Sequence, residues 1–134
     1  MRIHLGSCHC GFVRFEVEVE ADIDHVRLCD CSICRRRGAL NFRVPADALR
    51  LQTPWAALSE YRWGSFTACD YFYARCGVMP FRRPSAPTPE ELAQGVVPFT
   101  GWAINVCCLE GIDLDALPVL RISGSSLHPA TRSG

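Results

Sequence analysis

Phe12-Val13-Arg14-Phe15-Glu16-Val17-Glu18-Val19-Glu20 alternates apolar and charged side chains. In an extended chain Val13, Phe15, Val17 and Val19 fall on one side and Arg14, Glu16, Glu18 and Glu20 on the other. The pattern predicts a β-strand with one face buried and one wet. Outward from it the chain reads as further short strands and turns. His25–Cys29 is a second strand, Ala39–Val44 a third that Pro45 stops, and Leu49–Gln52 and Leu58–Trp63 continue the series. Gly64-Ser65 marks a turn, Thr67–Tyr73 is the next strand, and Gly101–Leu109 and Val119–Ser123 complete the set. Residues 84–98 differ, carrying Pro84, Pro87, Pro89 and Pro98. Within them Thr88-Pro89-Glu90-Glu91 reads as a helix start, with Thr88 as N-cap, Pro89 as first helical residue and Glu91 as capping-box partner. Gly95 limits that helix to a turn or two. No repeat or linker divides the chain, so the expectation is one mainly β domain over residues 1–124 with short helical turns. A small, polar, flexible tail is expected over 125–134.

The chain has 134 residues, 49% of them hydrophobic and 21% charged, which supplies a core and argues against general disorder. Lys plus Arg and Asp plus Glu both count 14. A zero net charge weighs against a nucleic-acid binder, which is usually basic. No apolar run reaches the roughly 18 residues of a membrane span. The start, Met1 to Cys8, has no apolar signal-peptide core, so a cytoplasmic setting is expected. There disulfides are rare, and close cysteine spacing points to metal binding before it points to a disulfide scaffold.

The nine cysteines carry the functional information. Cys8-His9-Cys10 and Cys29-Asp30-Cys31 are Cys-x-Cys pairs, and residues i and i+2 of an extended chain point to the same side. Cys31-Ser32-Ile33-Cys34 adds a Cys-x-x-Cys turn that folds two sulfurs toward a common point. Cys29, Cys31 and Cys34 thus offer three thiolates, the ligand number of a catalytic zinc with an open position. Cys76-Gly77 is half of a zinc knuckle, with Tyr73 where a second cysteine would stand. Cys69 lies four residues before that position, about 13 Å along a strand, against zinc–sulfur bonds of about 2.3 Å. A packed core thiol is therefore the competing reading of Cys69. Cys107 and Cys108 sit in an apolar run, where neighbouring strand residues face opposite ways, and read as structural.

Gly6-Ser7-Cys8-His9-Cys10-Gly11, Cys29-Asp30-Cys31-Ser32-Ile33-Cys34-Arg35-Arg36-Arg37-Gly38, Tyr71-Phe72-Tyr73-Ala74-Arg75-Cys76-Gly77 and Asn105-Val106-Cys107-Cys108-Leu109-Glu110-Gly111 follow in order. As a set they resemble the signatures of the glutathione-dependent formaldehyde-activating enzyme family, which also includes centromere protein V. The resemblance runs from about residue 3 to about 122. It implies an Mss4-like antiparallel β fold with zinc-binding cysteine clusters. It implies a structural zinc at Cys8, Cys10, position 73 and Cys76, and a second zinc at Cys29, Cys31 and Cys34, where the thiol substrate acts. Two positions depart from the family pattern. Tyr73 replaces a cysteine, leaving three matched thiolates, and Asp70 stands where the family tends to have His.

The implied reaction joins formaldehyde to the thiol of glutathione, giving S-(hydroxymethyl)glutathione, a carbon–sulfur lyase chemistry. A free thiol has a pKa near 8.5 and is only a few per cent ionised at pH 7, so a zinc with an open position is a natural activator. Glutathione, or a similar small thiol, carries carboxylates that guanidiniums can clamp. Arg35 and Arg36, directly after Cys34, are the substrate-binding candidates; the competing reading is a solvated basic turn. The alternative function is a non-catalytic, zinc-stabilised thiol- or protein-binding module.

Overall fold

The alternating stretch forms the middle strand of a small sheet. In chain order the elements are β1 (Arg2–Ser7), β2 (Arg14–Val19), β3 (Val26–Cys29), α1 (Ser32–Arg37), β4 (Asn41–Val44), β5 (Leu49–Leu51), β6 (Ser59–Tyr61), β7 (Cys69–Phe72), β8 (Phe81–Arg83), α2 (Pro89–Ala93), β9 (Trp102–Asn105) and β10 (Val119–Ile122). The computed structural model describes residues 1–124; the tail expected at 125–134 lies outside the described residues. β1, β2 and β5 make a three-stranded antiparallel sheet. The larger sheet has seven strands in the order β10-β3-β4-β9-β8-β7-β6. Its pairs are antiparallel except for β10, which lies parallel to β3. The fold is mainly β, with few and short helices, as the sequence predicts.

The two sheets share one core. Phe15 and Val17 of β2 meet Phe81 of β8 and Trp102 and Ile104 of β9, all buried. The rings of Phe15 and Phe81 pack edge to face at 5.4 Å between centroids. Burying a phenylalanine of this kind is worth about 1.5–3 kcal/mol of transfer free energy. Gly6 makes the packing possible: a Cβ there would sit 2.3 Å from the tip of the Phe15 ring, its cross-strand partner.

Several local readings hold. Phe15, Val17 and Val19 are buried and the glutamates between them are not. Thr88 caps α2 through a full capping box, accepting from the Glu91 amide at 3.1 Å while Glu91 Oε1 accepts from the Thr88 amide at 3.0 Å. Three elements differ from expectation. β1 escapes the alternation signal because its apolar Ile3 and Leu5 face solvent while His4 and Gly6 face inward. β8 is only three residues long, two of them arginine. The expected strand over 101–109 ends at Asn105, and Val106–Cys108 is a single 3-10 turn in which Asn105 Oδ1 accepts from the Cys107 amide at 3.2 Å. Cys107 and Cys108 lie on this turn, not on a strand, and are not in either cysteine group that could hold a metal ion. Among the described residues no helix is long and apolar enough to cross a membrane.

Candidate metal centres

Two tight turns build the first cysteine group. After β1, the Gly11 amide donates to the Cys8 carbonyl at 3.1 Å, with Gly11 at φ 83, so Cys8 and Cys10 flank one reversal. Their sulfurs lie 3.6 Å apart. After β7, the Gly77 amide donates to the Tyr73 carbonyl at 2.6 Å, with Gly77 at φ 75, which presents Cys76. The sulfurs of Cys8, Cys10 and Cys76 all lie within 4.8 Å of one another. Burial pushes the Cys76 thiol up, but the amides of Cys10 and Val78 and a hydrogen bond from Cys8 outweigh it and draw it down to about 7. Tyr73 stacks its ring on Phe12, with centroids 5.0 Å apart and planes 11° from parallel. It acts as an apolar cover beside the group. Cys69 is a buried thiol that donates to Glu60 Oε1 at 3.3 Å, and it belongs to neither group.

The second group straddles a strand end and a helix start. Cys29 closes β3, Cys31 is the residue before α1, and Cys34 lies in the first turn of α1. The sequence predicts a turn at Cys31–Cys34; the chain continues it into a six-residue helix, ended by Gly38 at φ 69. The three sulfurs lie within 4.8 Å of one another. Tetrahedral thiolate coordination asks for about 4 Å between sulfurs, so small side-chain rotations suffice for three soft donors to share an ion. Hydrogen bonds from Cys29 and Cys34 pull the Cys31 thiol down to about 2, while Cys29, Cys31 and burial push Cys34 up.

Gly124 packs against this group. A Cβ there would sit 2.3 Å from Cys29 Sγ and 3.1 Å from the Cys31 Cβ. Gly124→Ala is therefore expected to push Cys29 Sγ out of place and to lower bound metal by about one ion per chain. Unchanged metal content in that variant would mean that Cys29 is not needed as a ligand.

The run Arg35-Arg36-Arg37 divides its roles. Arg35 and Arg36 are exposed on α1, and Arg36 Nη1 donates to the Ser32 carbonyl of the same helix at 2.9 Å. Arg37 turns inward and pairs with Asp70 Oδ2 at 3.2 Å. Asp70, only 1% exposed, also accepts from Arg82 Nε through its other oxygen. This buried carboxylate ties α1, β7 and β8 together. Burial alone would lower Arg82, but the Asp70 charge holds it above the ordinary arginine value.

A cavity of about 660 Å³ opens on Cys29 and Cys31. Its guanidiniums are Arg27, Arg43 and Arg82, not Arg35 or Arg36. Strand register explains them. Asp70 of β7 lies opposite Arg82 of β8, Arg82 opposite Ala103 of β9, and Ala103 opposite Arg43 of β4, so one row crosses four strands. Residues opposite each other share a face, and the small Ala103 keeps the two guanidiniums apart. Arg27 precedes Cys29 by two residues on β3 and shares its face. That spacing was available in the sequence; the Arg43 and Arg82 positions needed the register. Burial, then the charges of Arg27 and Arg82, push Arg43 below the ordinary arginine value. Asp70 serves as counterion to Arg82, but among the described residues no carboxylate pairs with Arg27 or Arg43.

Comparisons with known proteins agree with this geometry. The model of the glutathione-dependent formaldehyde-activating enzyme family matches residues 3–97. The chain is also similar to a Rhodobacter sphaeroides protein of known crystal structure. The two are 32% identical with a TM-score of 0.68, and the match covers 87% of this chain and 99% of that one.

Proposed function

Since the chain belongs to the glutathione-dependent formaldehyde-activating enzyme family, we propose that it is a zinc-dependent enzyme of carbon–sulfur lyase type acting on glutathione–aldehyde adducts. The observation that carries this is the Cys29, Cys31 and Cys34 group opening on a cavity lined by Arg27 and Arg43, which pair with no carboxylate among the described residues. Family membership further supports reading the fold as Mss4-like. The core shared by both sheets supports reading residues 1–124 as one domain, and the nine free thiols suit a cytoplasmic setting.

Cys29, Cys31 and Cys34 would hold one zinc, and Cys8, Cys10 and Cys76 a second. Zinc at the first of these groups supplies a cation that favours the thiolate form of a bound thiol near neutral pH. The chain's own residues do the rest. Arg27 and Arg43 bind the two carboxylates of glutathione and aim its sulfur at the cysteine group; Arg82, already paired with Asp70, frames the floor. In the net reaction the glutathione sulfur bonds to the formaldehyde carbon, and the thiol proton ends on the former carbonyl oxygen. The substrate role is assigned here to these two arginines and not to Arg35 and Arg36, which are exposed on α1 and outside the cavity lining.

The test compares adduct formation with the spontaneous rate, by NMR of labelled formaldehyde. Arg43→Ala should raise KM for glutathione at least tenfold, since a charge-assisted hydrogen bond is worth about 1.5–3 kcal/mol, with a smaller change in kcat. Saturable glutathione binding with no rate effect would instead support the non-catalytic, zinc-stabilised binding module.

Tyr73 gives a second test. A phenol with a pKa near 10 is a poor zinc ligand at neutral pH, and this ring is committed to Phe12. The first group should therefore hold zinc weakly. Tyr73→Cys is expected to raise zinc toward two per chain and to raise the melting temperature, a gain that strong chelation removes. A wild-type protein already at two zinc ions per chain would mean that another residue completes the shell.

A further inference from the structure

Glutathione is itself drug-sized, so the volume of the cavity does not select the aldehyde; its lining does. The space is about 660 Å³, within the range that holds drug-sized ligands. Its lining is of two kinds: Cys29, Cys31 and the arginines, and the segment carrying Pro84, Pro87, Val96, Val97 and Phe99 beside Thr88 and Glu91.

This apolar wall comes from the segment between β8 and β9, and it is built, not slack. Pro84 and Pro87 fix their backbone φ. Thr67 Oγ1 accepts from the Ala86 amide at 3.0 Å, the capping box anchors α2, and the Val96 amide donates to the Glu91 carbonyl at 3.0 Å. The Arg43 guanidinium lies 4.8 Å from the centroid of the Phe99 ring, so the charged and apolar linings meet there. Val96 and Val97 are 42% and 81% exposed, an apolar pair at the mouth of a charged cavity. An occupant that answers these features is anionic at its thiol-bearing end and carries an apolar group.

We propose that this site takes glutathione adducts of longer, apolar aldehydes, with the aldehyde's hydrocarbon chain lying along Pro84, Val96, Val97 and Phe99. The inference rests on the function proposed above and extends it from formaldehyde to a substrate class. The step balances in the same way: the glutathione sulfur bonds to the aldehyde carbon, and the thiol proton ends on the former carbonyl oxygen.

The experiment uses the zinc-loaded full chain and stable analogues, S-methyl-, S-butyl- and S-hexylglutathione, with hexanoate as an apolar anion lacking glutathione. Calorimetry should show Kd falling about fourfold for each methylene buried along the wall, and hexanoate binding far more weakly than S-hexylglutathione. Val97→Asp, on an exposed side chain that folding does not need, should flatten the series. A flat series in the wild type, with S-methylglutathione bound, would overturn the apolar wall and leave the proposed function standing. Hexanoate binding as tightly as S-hexylglutathione would overturn the thiol-adduct assignment. Failure of all three analogues to bind would overturn both this inference and the function on which it rests.

Discussion

Cys34→Ser is expected to abolish glutathione-dependent activity while lowering the melting temperature by only a few degrees, and Cys10→Ser to lower stability far more than activity. The difference follows from what each group ties together. α1, which carries Cys34, is anchored without any ion: its last turn bonds to Gly38, and Arg37 pairs with buried Asp70. Serine nearly matches cysteine in size, so the helix should survive the change while the group loses one of three thiolates. Cys8, Cys10 and Cys76 instead come from turns far apart in sequence, after β1 and after β7. An ion held there closes a long loop, and the free energy of binding becomes folding free energy. Both variants should be measured with zinc in excess, so that weak loading caused by Tyr73 does not hide the effect. Equal losses of stability and of activity in the two variants would show that the groups do not divide the labour.

Asp70→Asn should cost about 3 kcal/mol, the low end for breaking a buried ion pair, and lower the melting temperature by on the order of 10 °C. The carboxylate is 1% exposed and faces two guanidiniums, Arg82 at 13% and Arg37 at 20% exposure. Asparagine keeps the shape and removes the charge, which leaves both cations in a poorly solvated place. The low end applies because both arginines still reach some water. Activity should fall too, because the same carboxylate holds α1 and the cavity floor. The double variant Asp70→Asn with Arg37→Met should recover part of the stability, since it removes one uncompensated charge. A loss below about 1 kcal/mol in the single variant, against the 3–5 kcal/mol range of buried pairs, would show that water screens this cluster.

The sequence alone determined what depends on residues close together in the chain. Period-2 alternation in 14–19 gives β2, and Thr88 with Glu91 gives the capped α2. The spacing of Cys29, Cys31 and Cys34 gives three sulfurs in one place. These follow from backbone geometry over a few residues, where side-chain direction is set by the local period. The pairing of Cys76 with Cys8 and Cys10 was legible only through family resemblance, because nothing in its spacing says which distant turn it meets. The tertiary structure decided the rest. β1 hid because its apolar side faces water, and β8 because two of its three residues are arginine. Arg35 and Arg36 sit beside Cys34 in the chain but are not among the residues lining the cavity, while Arg43 and Arg82 reach it through a row of strand partners. Gly124, 90 residues beyond Cys34, packs on Cys29 Sγ. Such neighbours are set by strand order and register, which depend on how the whole chain buries Phe15, Phe81 and Trp102 together and not on any local pattern.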